Sequence, residues 1–328
     1  MTTKSAILIL TQNTSEKRIY LKNCLYFLFK NFNAKYKYPV IILHEGDYTN
    51  YFQEEIIKSV RDECRSCIKF KELDKNDFKT PEYVDKDKMT KSIELQPVPY
   101  WRNESYRNMC NFWLSHFTKY ISEYEYVMRL DDDSIIEENI NLDLFEIMKE
   151  RDLNYLSNLV HIDCGICNYE MKEFFEKEYA DKKDVIKELF VNSKLNSDNN
   201  NKIYDNFKKL YSIINNKEYE KKEIDIDSPI MYYNNFFITK TAFWGCEEVK
   251  NTIDKICKSG NIFYYRWGDA PLHTIIATLY DKNKISKCAF KYSKRLQREA
   301  FKDTNGKLHS FMPGTYDNNS CITYKKAM

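Results

Sequence analysis

Apolar and polar positions along the chain fall into blocks whose period changes. Residues 6–11 form an apolar run one strand long, and 14–31 follow with Leu21, Cys24, Leu25 and Leu28 at the spacing of one helix face. Val40-Ile41-Ile42-Leu43-His44 predicts a second strand, 52–62 a second helix and 68–73 a third strand. This β-α-β-α-β succession predicts an α/β fold with a parallel, helix-flanked sheet. Beyond it, 81–99 is polar and irregular, 105–121 predicts a long amphipathic helix and 124–130 a buried strand. Further on, 156–163 reads as a strand, 171–190 as a helix and 274–280 as an apolar helix. Residues 194–222 are rich in Asn, Lys, Asp and Tyr, which predicts a surface insertion, partly helical and partly disordered. With no repeat and no linker, one domain over 1–328 is the simplest reading.

The strand at 124–130 runs into Arg129-Leu130-Asp131-Asp132-Asp133. Negative charge is thereby expected at a strand's carboxyl end, where open α/β sheets place their ligands. Asp131 and Asp133 are two apart, so both can reach one point just past the strand. Oxygen ligands of that kind suit a hard divalent cation carrying a diphosphate. Acidic triplets are more often solvated turns; the preceding strand is what raises this one above that reading.

Composition narrows the function. Lys plus Arg number 51 and Asp plus Glu 49, a near balance that argues against a nucleic-acid partner or a polybasic membrane surface. Only 7 glycines occur and no Gly-rich phosphate loop, so a nucleotide must be held by side chains and a metal. No run reaches the ~18 apolar residues of a membrane helix, and 6–10 reads as a strand, not a signal peptide. A soluble, intracellular chain is expected.

Cys64-x-x-Cys67 and Cys164-x-x-Cys167 admit a zinc site, but their separation is far beyond ribbon-type spacing and the second pair looks like part of a strand. Reduced, partly buried thiols are the blander reading, and a redox role for Cys64 and Cys67 is another. A second cluster, Phe263-Tyr264-Tyr265-Arg266-Trp267-Gly268-Asp269-Ala270-Pro271-Leu272-His273, precedes the apolar helix. Asp269 sits where an N-cap would, and His273 reads as a core histidine.

Ser105-Tyr106-Arg107-x-Met109-Cys110-x-Phe112-Trp113, Arg129-Leu130-Asp131, Tyr233-x-Asn235-Phe236 and the block from Arg266 to His273 together resemble the fungal-type α-1,2-mannosyltransferases of glycosyltransferase family fifteen. Order and approximate spacing agree over nearly the whole chain. The resemblance implies a GT-A fold, with a nucleotide-sugar half over 1–135 and an acceptor half over 136–328. It implies Mn²⁺-dependent, retaining transfer of mannose from GDP-mannose to a hydroxyl of a carbohydrate or glycoprotein acceptor. Carried over by motif position, Asp131 replaces a metal-binding Glu, Asp133 is a second ligand, and Arg129 contacts phosphates or orients the acid. Tyr100 and Tyr106 line the donor and acceptor cleft, and Asp269 binds a sugar hydroxyl. The family's metal-binding His, in a Gly-Tyr-His-His-Pro-Pro-Tyr-Asp-Asn-Cys segment, is best matched here by His309. The resemblance also implies relatives that are anchored in the Golgi membrane.

Two departures qualify these expectations. Phe237 stands where the family has a Glu proposed as nucleophile, so a double displacement through that position is excluded and front-face attack is expected. Gln12, before Asn13, stands where the family has an Arg near the nucleotide. It removes a fixed charge and leaves open another nucleotide-sugar. An inactive sugar- or nucleotide-binding relative is the competing reading.

Overall fold

The structure, a computed structural model, describes residues 4–96, 101–196 and 201–294, with the backbone of strand segments 299–302, 308–309 and 323–326. Its framework is a seven-stranded sheet assembled from non-contiguous strands. In chain order the strands of the described residues to 294 are β1 (Ser5–Leu10), β2 (Val40–His44), β3 (Ile68–Glu72), β4 (Tyr126–Leu130), β5 (Ser134–Ile136) and β6 (Tyr155–Ser157). They continue with β7 (Val160–Ile162), β8 (Phe190–Asn196), β9 (Glu223–Tyr232), β10 (Phe236–Lys240), β11 (Ile285–Lys287) and β12 (Tyr292–Lys294).

Across the central sheet the order is β11-β6-β10-β4-β1-β2-β3. β1 pairs in parallel with β2 and β4, β2 with β3, and β6 with β11; β10 alone runs antiparallel to both its neighbours. The sheet is mixed and mainly parallel, as the alternation predicted. Chain order reverses at β1, so a crevice opens beyond the carboxyl ends of β1 and β4, the usual ligand position in such sheets.

The apolar runs are continuous because both faces are covered. Ile7 and Ile9 of β1 point into one core with Leu21, Leu25 and Leu28 of the helix Ser15–Leu28. Ala6 and Leu8 point into the other, which is dominated by Phe112, Trp113, Phe117, Trp244 and Trp267. Thr14 caps the first helix by accepting from the Lys17 amide, which ends the strand-to-helix turn just before the site.

Several sequence expectations need correction. The 105–121 helix is α only over Glu104–Asn111; it widens to a π turn over Phe112–His116 and tightens to 3-10 over Phe117–Tyr120, with bulky aromatics crowding the core side. Residues 156–163 split into β6 and β7, because Val160–Ile162 leaves the central sheet to pair with β9. The 171–190 helix is broken at Tyr179 into Met171–Glu178, a 3-10 turn Ala180–Lys182 and a short helix Lys183–Lys187, and β8 begins at Phe190. Cys164 precedes a short 3-10 turn over Gly165–Asn168 and Cys167 lies within it, not in a strand. The helical part expected of the Asn/Lys-rich insertion is present among the described residues. Its helix Asn201–Asn215 buries Phe207 and Leu210, since aromatic residues at helical spacing outweigh the polar background.

Candidate active site

Two loops meet at the crevice: Thr11-Gln12-Asn13 after β1 and Asp131-Asp132-Asp133 after β4. They are stitched together by the Thr11 hydroxyl, which donates to Asp132 Oδ2 at 2.8 Å. Lys17, from the first helix, adds an ion pair to Asp132 at 2.9 Å. Asp132 is thus a structural acid whose carboxyl burial pushes its pKa up to about 6, against the pull of Lys17. Its middle position in the triplet gave no hint of that.

Arg129 organises the rest. Its guanidinium donates from Nε to Asp131 Oδ1 at 3.0 Å and from Nη1 to Asp269 Oδ2 at 2.6 Å. The plane lies over the Trp113 ring, 4.0 Å from its centroid, so the charge is held by a cation–π contact as well. Asn234 also donates to Asp269 Oδ2, at 2.7 Å, and Asn235 donates to Asp131 Oδ2 at 2.6 Å. Both asparagines come from the turn into β10, the antiparallel strand beside β4. Asn235 stood in a quoted motif but carried no assigned role; Asn234, Lys17 and Trp113 were missed as site residues.

Asp269 is not the helix cap expected from sequence. Gly268 occupies the N-cap and Asp269 opens the helix Asp269–Asp281, buried, with its carboxylate turned to Arg129 and Asn234. Just before it, Arg266 holds a φ of 76°, strained for a residue that carries a Cβ, with Asp163 3.7 Å away and the Tyr106 ring at 5.7 Å. His273 is core, as expected: fully buried, Nε2 lies 2.8 Å from the Trp113 carbonyl, and burial lowers its pKa to about 4. Phe237 is fully buried in the same layer, stacked on Tyr155 at 5.1 Å and 5.4 Å from His273.

A cavity of about 430 Å³ lies over these groups, within the usual range for a small-molecule site. Gln12, Tyr106, Arg129, Asp131, Asp133 and Asp269 all line it, so six of the sequence-selected residues are brought together. Asn13 is not among them: its amide groups are bound to Asp47, at 2.5 and 2.7 Å, and it positions the loop instead. Tyr100 lies outside the described residues. So does the side chain of His309, whose backbone forms part of a small antiparallel strand set.

Lys294, a residue that sequence analysis passed over, enters the acid pair. Its Nζ lies 3.0 Å from Asp131 Oδ2 and 3.5 Å from Asp133 Oδ1. Burial alone would lower its pKa, but attraction to Asp131 and Asp133 outweighs that and holds it above the ordinary lysine value. A divalent cation needs oxygen ligands at about 2.0–2.6 Å. Asp131 has both oxygens engaged by Arg129, Lys294 and Asn235. Among the described residues no group of three His, Cys, Asp or Glu side chains is placed to hold a metal, the two Cys pairs included. The described donor set does not fit a divalent ion in this arrangement.

Residues 1–323 match the family described as "Glycolipid 2-alpha-mannosyltransferase". The O-glycoside alpha-1,2-mannosyltransferase omh1 of Schizosaccharomyces pombe is 29% identical over 268 residues, covering 79% of this chain and 60% of that protein. The glycolipid 2-alpha-mannosyltransferase of Saccharomyces cerevisiae is 26% identical over 284 residues, covering 81% and 55%. The chain therefore spans somewhat more than half the length of these relatives. The mannosyltransferase Ktr4p of S. cerevisiae, solved in complex with GDP, superposes with a TM-score of 0.69 at 22% identity, covering 89% of this chain and 71% of that one. Core-mannan synthase A of Aspergillus fumigatus, in an Mn/GDP form, gives 0.68 at 21%, covering 89% and 74%. These superpositions establish the GT-A fold.

Proposed function

The chain belongs to the glycolipid 2-alpha-mannosyltransferase family, and on that footing we propose that it transfers mannose from GDP-mannose to a sugar hydroxyl, forming an α-1,2 linkage with retention. The observation that carries this reading is the Arg129 bridge, which fixes Asp131 and Asp269 on one wall of a cavity at the ends of β1 and β4. Diphosphate binding belongs at that crevice. Asp269, buried and doubly held, is suited to orient a sugar hydroxyl, and the Tyr106 ring is suited to lie against a sugar face.

Retention proceeds by front-face attack. The bond from the anomeric carbon to the phosphate oxygen breaks, its electrons staying on that oxygen. The acceptor hydroxyl forms the new bond on the same face, and its proton passes to the departing phosphate. Donors already aimed at the developing charge lower the barrier without reorganising. Phe237 supports this route, because a ring stacked on Tyr155 cannot form a glycosyl ester. An intact-protein mass spectrum with a glycosylated chain would defeat it.

Gln12 lines the cavity without the family's charge, so the nucleotide is the open choice of the donor. A screen of GDP-mannose, UDP-glucose and UDP-N-acetylglucosamine, with product linkage read by NMR, tests the assignment. Transfer from GDP-mannose alone is expected; preference for a UDP-sugar would remove the mannosyl assignment and leave a glycosyltransferase.

A further inference from the structure

The Lys294 position is fixed by backbone, not by chance contact. β12 pairs antiparallel with β5 so that Lys294 stands opposite Ser134, the residue following the acid triplet. Tyr292 of the same strand lies within hydrogen-bond distance of the Ser134 hydroxyl, at 2.6 Å, and locks the register. The ammonium is thereby set between Asp131 and Asp133, while its side chain stays 30% exposed at the cavity wall.

Three described cations line that cavity: Lys17, Arg129 and Lys294. Lys17 is bound to Asp132 at 2.9 Å, and Arg129 is shared between Asp131 and Asp269 with one face on Trp113. Lys294 has three donors; two are directed by its ion pairs with Asp131 and Asp133, and the third has no other partner among the described residues, which leaves it for a ligand oxygen. A cation seated on two carboxylates and open on its remaining side is placed to link the acid pair to a diphosphate.

We propose that Lys294 is the site's own cation, bridging Asp131 and Asp133 and holding the departing diphosphate, so that donor binding and transfer need no divalent metal. The inference rests on reading the cavity as a nucleoside-diphosphate-sugar site. Lys294 keeps its protons throughout and supplies a charge-assisted hydrogen bond to the phosphate oxygen as the anomeric C–O bond breaks. The acceptor's proton goes to the phosphate, as in the front-face route. The same charge disfavours a divalent ion on Asp131, because the ion would have to expel the ammonium first.

Calorimetric titration of GDP, UDP, GMP and UMP into the whole chain, in EDTA and then in excess MnCl₂, tests this. Wild type is expected to bind its nucleoside diphosphate within about threefold of the same affinity in both conditions. Lys294→Ala in EDTA is expected to lose about tenfold or more for the diphosphate and little for the monophosphate, while Lys294→Arg retains most binding. Circular dichroism checks that the variants fold, and the wild-type comparison stands without them. Diphosphate binding by wild type only with Mn²⁺ would overturn the inference and leave the function standing. Binding of no nucleotide in either condition would overturn the functional reading and this inference with it.

Discussion

Arg129 Nη1 lies 2.6 Å from Asp269 Oδ2 across 140 residues of chain, tying the end of β4 to the first turn of the helix Asp269–Asp281. Both groups are buried, at 2% and 6% side-chain exposure, and the same guanidinium holds Asp131. Fold and site share this one contact, since breaking it disturbs two carboxylates and a cation–π pair together.

Arg129→Met follows directly. It leaves Asp131 and Asp269 without their common partner, and removing one member of a buried pair costs about 3–5 kcal/mol. Urea denaturation monitored by circular dichroism reads the loss. A change below about 1 kcal/mol would mean that the bridge is dispensable to the fold.

Asp269→Asn tests the division of labour within the cavity. The amide still fills the space beside Arg129 and Asn234, but it loses the charge expected to orient a sugar hydroxyl. Transfer is expected to fall by about tenfold or more in kcat/KM, with nucleotide affinity nearly unchanged. Equal losses in both would contradict the assigned role.

Phe237→Glu would not create a nucleophile. The ring is fully buried between Tyr155 and His273, with Arg129 6.0 Å away. A carboxyl placed there is desolvated without a designed partner, costing roughly 2–4 kcal/mol. A lower melting temperature, no gain in transfer and no glycosylated enzyme by mass spectrometry are expected.

His273 sets a pH dependence. Its pKa falls from 6.5 when unfolded to about 4 when buried. Between those values the unfolded state binds more protons, so stability is complete above pH 6.5 and declines as pH drops toward 4. The shift corresponds to about 3 kcal/mol across that window. His273→Gln, which keeps a donor for the Trp113 carbonyl, is expected to flatten this part of the profile relative to wild type.

Much of the architecture was readable because β1, β2 and β4 are near-continuous apolar runs, which a sheet buried on both faces requires. The motifs singled out Arg129, Asp131 and Asp269, which the structure brings to one cavity wall. What escaped were groups whose role depends on pairing across the sheet. Lys294 sits in a lysine-rich stretch with no period, and only the β5–β12 register brings it to the acids. Asn234 and Asn235 depend on β10 inserting antiparallel beside β4, which the local sequence does not announce. The helical part of the insertion was foreseen without its bounds; Asn201–Asn215 is held by Phe207 and Leu210 on its buried face.

The most direct test of the account is a crystal structure of this chain with GDP. The account predicts the β-phosphate at the ends of β1 and β4, within hydrogen-bond reach of Lys294 and beside Asp131. GDP seated elsewhere, or excluded from the cavity at saturating concentration, would contradict it.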